Sequence, residues 1–169
     1  RKMLKQAKYA NAIITSSPGF VEWLDEYGLK ATSIENRISK QSVLPLPTSP
    51  TIGYFGRIRE SSSFTLLRDA LLYIDPQERP SILIAGDGTH TGTVADIFAQ
   101  CSEIQSDIRG PFSESELRPM MSEIGLMFAM YSPERGNIRE GALPAKMFEA
   151  AAFGRPSIVN ANTLMGEIC

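Results

Sequence analysis

Lys146 and Glu149 stand three residues apart in the stretch Pro144-Ala145-Lys146-Met147-Phe148-Glu149-Ala150-Ala151-Ala152-Phe153-Gly154. The stretch reads as one short helix. Proline suits the first helical position, where its missing N–H would be unpaired anyway, and glycine suits the left-handed residue just past the end. Lys146 then falls in the first turn, beside free backbone N–H groups, with Glu149 on the same face. A cation at the positive end of a helix is locally unfavourable, and a bound anion reverses that cost. Free N–H groups, the dipole and a lysine together predict a phosphate site, with a carboxylate one turn deeper for a hydroxyl. A lysine and a glutamate at this spacing are also an ordinary solvated pair, so the rest of the chain has to decide between the two.

Two more stretches carry candidate ligand groups, Tyr54-Phe55-Gly56-Arg57-Ile58-Arg59 and Ile84-Ala85-Gly86-Asp87-Gly88. Each leaves an apolar run through a glycine turn. Glycine lets backbone approach a ligand closely, and arginine holds phosphate in a forked geometry, although a glycine after a strand is also a plain tight turn. Gly53-x-x-Gly56 and Gly86-x-Gly88 lack the third glycine of the dinucleotide fingerprint, which disfavours a nicotinamide site. Ser113 and Ser132 have no histidine and aspartate to activate them; the single histidine, His90, sits in the polar loop Thr89-His90-Thr91 and reads as a surface residue. Cys101 and Cys169 have no metal-ligand spacing and suggest no disulfide framework, which favours a reducing cytosol. No nucleophilic triad and no metal site are predicted.

Alternating strands and helices must position these groups. A basic stretch over residues 1–10 leads to a short strand at Asn11–Ser17, a turn at Pro18-Gly19 and an amphipathic helix from Phe20 to Tyr27 stopped by Gly28. Residues 31–35 suit another strand, and the prolines of residues 38–50 mark a linker. Strands are then predicted at 51–56, 81–86, 104–108, 124–130 and 156–160, and helices at 63–74, 92–101, 115–121 (with Ser113 or Ser115 as cap) and 144–153. An irregular polar loop spans Tyr131 to Gly141. Near-continuous apolar strands alternating with helices predict an α/β fold, a Rossmann-like parallel sheet with helices on both faces. Strand, polar loop and helix N-terminus is where such sheets bind ligands. The 169 residues, 43% hydrophobic and 21% charged, fit one ordinary globular domain. A net charge of −2 gives no case for nucleic acid, and no apolar run is long enough to span a membrane. The chain starts at Arg1 and ends in mid-pattern at Cys169, so a piece of a longer protein is expected.

In this order the motifs resemble the linker and C-terminal, donor-binding domain of family-four (group-one) glycosyltransferases of GT-B fold. The carriers are Ala10–Ser17, Ile52–Ile58, Ile84–Gly88, Gly110-Pro111-Phe112 with Glu116-Leu117, and above all Leu143–Val159, which is similar to the signature Pro-x-Lys-x-x-Glu-(small)-Gly-x-Pro-hydrophobic. The resemblance implies residues 1–47 as the tail of the acceptor domain and linker. Residues 48–169 would be a nucleotide-sugar-binding Rossmann-like domain, incomplete at its C-terminus. It further implies a UDP- or GDP-sugar donor, a glycan or lipid-linked acceptor, transfer with retention, no metal or other cofactor, and a cytoplasmic enzyme, in some cases peripheral at the inner membrane face. Lys146 and Arg57 would meet the charge of the departing diphosphate, and Glu149 would hold the ribose hydroxyls. Gly56, Arg59, Gly86, Gly110, Phe112, Pro144 and Ala145 would complete the donor site.

Two departures bear on this expectation. Many members carry a second glutamate where Gly141 stands here, with Glu140 as the nearest carboxylate, and often a lysine where Ser63 stands. A non-catalytic α/β nucleotide-binding or regulatory module, or a nucleotide-sugar epimerase of the same architecture, are the alternatives. A single histidine speaks against the epimerase. The isolated chain is expected to bind donor weakly and to show no turnover.

Overall fold

The computed structural model describes residues 2–132 and 134–169; Arg1 of the basic stretch and Pro133 of the polar loop lie outside the described residues. The chain opens with helix α1 (Lys2–Ala7), strand β1 (Ile14–Thr15), helix α2 (Pro18–Asp25) and strand β2 (Thr32–Ser33). β1 and β2 pair in parallel as a two-stranded sheet of their own. An apolar groove of about 500 Å³, lined by Met3, Ile13, Phe20, Trp23 and Leu24, opens along this segment.

Five further strands form the main sheet: β3 (Thr51–Phe55), β4 (Ser81–Ala85), β5 (Ser106–Arg109), β6 (Leu126–Phe128) and β7 (Ser157–Ile158). Their order is β5-β4-β3-β6-β7, every pair parallel. Parallel neighbours need crossovers, supplied by α3 (Ser62–Leu72), α4 (Thr91–Ala99), α5 (Glu114–Glu123) and, between β6 and β7, α6 (Gly136–Arg139) with α7 (Ala145–Ala152). α8 (Leu164–Ile168) follows β7.

Alternation along each strand divides the core in two. Ile52, Tyr54, Ile82, Ile84 and Phe128 meet Phe64, Leu67 and Leu71 of α3 with Val94 and Phe98 of α4. Phe55, Leu83, Ala85 and Met127 point the other way, to Met120 and Met121 of α5 and Met147, Phe148 and Ala150 of α7. Helices therefore cover both faces, as expected of strands that are apolar on both sides. The strands are added to one side of β3 as far as β5 and then to its other side from β6, so the order of addition reverses between β3 and β6. In open parallel sheets the loops at the carboxyl ends of the strands diverge at such a point and leave a crevice.

Several boundaries differ from the sequence reading. Pro18 and Gly19 are not a turn before α2 but its first turn, because Ser17 is the N-cap and accepts from the Gly19 N–H at 3.2 Å. Pro144 is likewise the N-cap of α7, extended at ψ 137°, and its carbonyl accepts from Met147 N–H at 3.1 Å; the first helical residue is Ala145. Of the cap candidates for α5, Ser113 is the one, with the Glu116 carboxylate accepting from its N–H at 2.7 Å. The strands expected at 11–17, 124–130 and 156–160 pair over only two or three residues, since their flanks turn away to reach loops. α6 lies inside the stretch Tyr131 to Gly141 expected as an irregular loop, and α8 is a further short helix beyond the expected elements.

The linker has no regular structure, yet it is fixed. Arg155, 2% exposed, donates from Nε to Met121 O at 3.0 Å, from Nη1 to Leu44 O at 2.9 Å and from Nη2 to Pro45 O at 2.5 Å. Leu44 N–H donates to Phe153 O at 3.1 Å, and Ile38 and Leu44 pack on the α5–α7 side of the core.

Candidate functional site

Lys146 is the second residue of α7, and its whole side chain is buried, at 7% exposure. Its Nζ makes no hydrogen bond among the described residues. Instead it stands 3.1 Å from the centroid of the Tyr54 ring and 5.4 Å from that of Tyr131. Tyr54 comes from the end of β3 and Tyr131 from the loop after β6, the two strands that flank the crevice. Aromatic faces offset part of the cost of a desolvated ammonium, by about 2 kcal/mol in favourable cases. Burial pushes the Lys146 amine well below its usual range, the neighbouring charge of Arg135 pushes it the same way, and Glu149 and Glu60 oppose them.

Glu149 lies one turn deeper on α7, half-buried, and burial raises its carboxyl above the ordinary range while Lys146 pulls it back. The two interact through space without a direct ion pair. Gly56 completes this corner: a Cβ built on it would stand 4.0 Å from Lys146 Nζ. The predicted core of the site, Gly56, Pro144, Ala145, Lys146 and Glu149, is therefore assembled in one place. The solvated-pair reading of Lys146 is ruled out by its burial.

The remaining predicted residues are distributed around it. Arg57 is 64% exposed on its side chain and holds Asp87 with Nη1 at 2.8 and 3.0 Å, an exposed pair worth little by itself. Its carbonyl accepts from the Tyr54 hydroxyl at 2.7 Å. Arg59 is exposed, and its charge is felt by both Tyr54 and Tyr131. Burial raises both phenols, Tyr54 to about 12. Gly110 and Phe112 line a pocket of about 360 Å³ at the carboxyl end of β5, with Ala85, Glu116 and Met120. Gly86 is explained without any ligand. A Cβ there would stand 1.9 Å from Gly56 O, so the turns after β3 and β4 pack backbone to backbone. The same two turns prolong the ladder, Gly56 N–H donating to Ala85 O at 2.9 Å and Ile58 N–H to Asp87 O at 2.7 Å.

Both departures from the motif have a physical reading. Gly141 has a φ of +90°, and a Cβ on it would lie 2.6 Å from Gly19 Cα, so no side chain fits where the first glutamate was expected. Ser17 seals the contact by donating its hydroxyl to Gly141 O. Ser63, at the lysine position, is buried in the first turn of α3, where its hydroxyl and N–H donate to Glu60. Tyr54, Tyr131, Glu60 and Arg135 were not among the predicted residues. The available signal was an aromatic at the carboxyl end of each strand flanking the reversal.

A five-stranded parallel sheet with this order, covered on both faces and carrying this helix N-terminus at the reversal, is the fold of the C-terminal domain of GT-B glycosyltransferases. Among solved structures the chain matches a mutant of TarM from S. aureus in complex with UDP, fondaparinux and alpha-GlcNAc-glycerol. The TM-score is 0.72 at 16% identity, over 94% of this chain and 31% of that one. It also matches HepE from Anabaena in complex with UDP and glucose (TM-score 0.69, 18% identity, 99% and 50% of the two chains). A third is the apo form of the lipopolysaccharide outer core galactosyltransferase WaaB (TM-score 0.66, 18% identity, 90% and 43%). The chain thus spans half or less of the length of these proteins. No family model and no curated protein matches the sequence.

Proposed function

We propose that the chain is the donor-binding half of a glycosyltransferase, which takes a sugar from a UDP- or GDP-sugar to a glycan or lipid-linked acceptor with retention. One observation carries the reading: a buried lysine amine with no hydrogen-bond partner among the described residues, at the first turn of α7, with Glu149 a turn deeper, at the reversal point of a GT-B sheet. A buried cation without a hydrogen bond is costly, and a diphosphate would supply a partner. Negative charge grows on that diphosphate as the sugar departs. Preplaced N–H groups and cations meet it, and removing one such donor typically costs about 3–4 kcal/mol in the barrier. Lys146 and Arg57 serve this role, Glu149 takes the ribose hydroxyls, and the pocket at Gly110 and Phe112 takes the base. No metal is needed in this scheme. TarM and HepE, which the chain resembles in fold, were both solved with UDP, which supports the donor class.

Residues 1–47 are read as the end of the acceptor domain and the linker, and the groove along α1 and α2 as the surface where that domain continues. Turnover then needs the remainder of the protein, and the isolated chain is inactive. The enzyme is cytoplasmic, at the inner membrane face where its acceptor is lipid-linked; among the described residues no helix is long and apolar enough to cross a membrane. The crowding at Gly141, which denies the site its first carboxylate, favours one second reading, a nucleotide-binding module without turnover.

Ligand-observed NMR with UDP, GDP, ADP and NAD tests the proposal on the full-length protein. One nucleoside diphosphate is expected to bind, and binding is expected to vanish in Glu149→Ala and Lys146→Ala while the fold is kept. Binding of none of the four, or equal binding by both variants, sinks it. Binding without transfer to any glycan acceptor gives the lead to the module.

A further inference from the structure

Arg135 takes no part in the motif, yet it stands over the same ring as Lys146. Its guanidinium carbon lies 5.1 Å from the Tyr131 centroid, and Lys146 Nζ lies 5.4 Å from it. Arg135 forms no ion pair among the described residues. Two cations on one ring repel each other, and Arg135 indeed works against the charge on Lys146. Such a pair is stabilised when a multiply charged anion meets both.

Tyr131 is not free to give way. Asn160, just after β7, clamps its backbone on both sides: Tyr131 N–H donates to Asn160 Oδ1 at 2.9 Å, and Asn160 Nδ2 donates to Tyr131 O at 2.9 Å. Thr163 Oγ1 in turn donates to Asn160 O at 2.7 Å. The backbone that carries the ring is thereby tied to the segment just after β7, the strand beside β6. At Ser63, where the motif leads one to expect a second amine, there is only a hydroxyl committed to Glu60.

We propose that Arg135 is a further diphosphate-binding cation of this site beside Lys146 and Arg57, presented with Lys146 on the Tyr131 ring, and that Asn160 is the positioning residue that fixes that ring. This rests on the nucleotide-diphosphate reading above and adds the source of the positive charge that Ser63 does not supply. Lysine meets phosphate as a point charge, whereas the planar guanidinium engages two oxygens at once, so the two are complementary on one diphosphate. The other charged or titratable groups whose fields reach this corner are Tyr54 from β3, Arg59 and Glu60 from the loop before α3, and Glu149 from α7.

Calorimetric titration of UDP and GDP into the full-length protein tests this, in wild type, Arg135→Gln, Tyr131→Phe, Tyr131→Leu and Asn160→Ala. Arg135→Gln is expected to weaken binding about tenfold to a hundredfold, as for loss of a hydrogen bond to a charged group, and to flatten its salt dependence. It should also raise the pH at which binding fails on the alkaline side. With a neighbouring positive charge gone, Lys146 keeps its proton longer. Tyr131→Phe keeps the ring and the affinity, while Tyr131→Leu and Asn160→Ala lose affinity. Wild type that binds while Arg135→Gln binds equally well, with the same pH limit, overturns this inference and leaves the diphosphate reading intact. Wild type that binds neither nucleotide overturns both. Should Tyr131→Leu not fold, Arg135→Gln, a change at a partly exposed side chain, decides alone.

Discussion

Replacing Lys146 by methionine should make the protein more stable and abolish its ligand response. Methionine matches the length of the lysine stem and leaves out the charge. In the folded chain the amine is buried with no hydrogen bond among the described residues, at the unfavourable end of α7 for a charge. The effective cost of a buried ion is several kcal/mol, and replacing buried ionic groups by apolar ones of similar volume often stabilises by about 1–4 kcal/mol. The Tyr54 face at 3.1 Å returns about 2 kcal/mol, so a net gain of about 2 kcal/mol is expected for Lys146→Met. In a protein of this size that corresponds to a rise in melting temperature of about 4–8 °C. The gain must shrink with pH. The amine is depressed in the folded state, so between its folded value and the ordinary value of 10.5 the unfolded chain binds more protons. Wild-type stability therefore rises with pH through that window, and the advantage of the variant is full only below the folded value. Thermal unfolding of both proteins from about neutral pH to about pH 10, with and without UDP or GDP, reads all three effects. Wild type should gain about 2.7 kcal/mol at a hundredfold excess of the nucleoside diphosphate it binds, UDP or GDP, over its dissociation constant, the variant nothing. A variant that melts at or below wild type at neutral pH, or a gap that stays constant with pH, refutes the reasoning.

Two other substitutions probe the scaffold. Arg155→Leu strands three carbonyls at once and should cost about 3 kcal/mol or more, with protease cutting opened near Leu44 and Pro45; urea denaturation and limited proteolysis check this, and an unchanged midpoint contradicts it. Gly86→Ala drives a methyl onto Gly56 O at a φ of +142° and should cost about 3 kcal/mol or more, whereas Gly92→Ala, with open space around it in the first turn of α4, should gain up to about 1 kcal/mol. Equal melting temperatures for the two alanine variants would show that the turn contact is not as described.

The sheet was legible because its runs are apolar on both sides, as in Ile82-Leu83-Ile84-Ala85, a pattern only a doubly covered strand requires. Lys146 and Glu149 were legible because their spacing and the flanking proline and glycine mark one helix. What surrounds Lys146 was not. Tyr54 and Tyr131 lie on separate strands that become neighbours only through the crossovers, and no spacing along the chain encodes a cation over a ring. Arg155 was equally hidden. An arginine after a glycine at a helix end reads as a surface residue, and its partners are backbone carbonyls of a segment without periodicity. Gly141 could be recognised as a departure from the motif, but its reason, the Cα of Gly19 against it, comes from the opposite end of the chain.

The two glycine turns at the head of β3 and β4 hold one another by the same N–H to carbonyl bonds as the strands behind them. Loops that border a binding crevice ordinarily lose conformational entropy when a ligand arrives, and that loss is subtracted from affinity. Here the ordering of residues 56–58 and 86–88 is completed when the chain folds. An anion reaching the crevice meets a preorganised rim, and what it has to rearrange is confined to side chains, the Lys146 arm first among them.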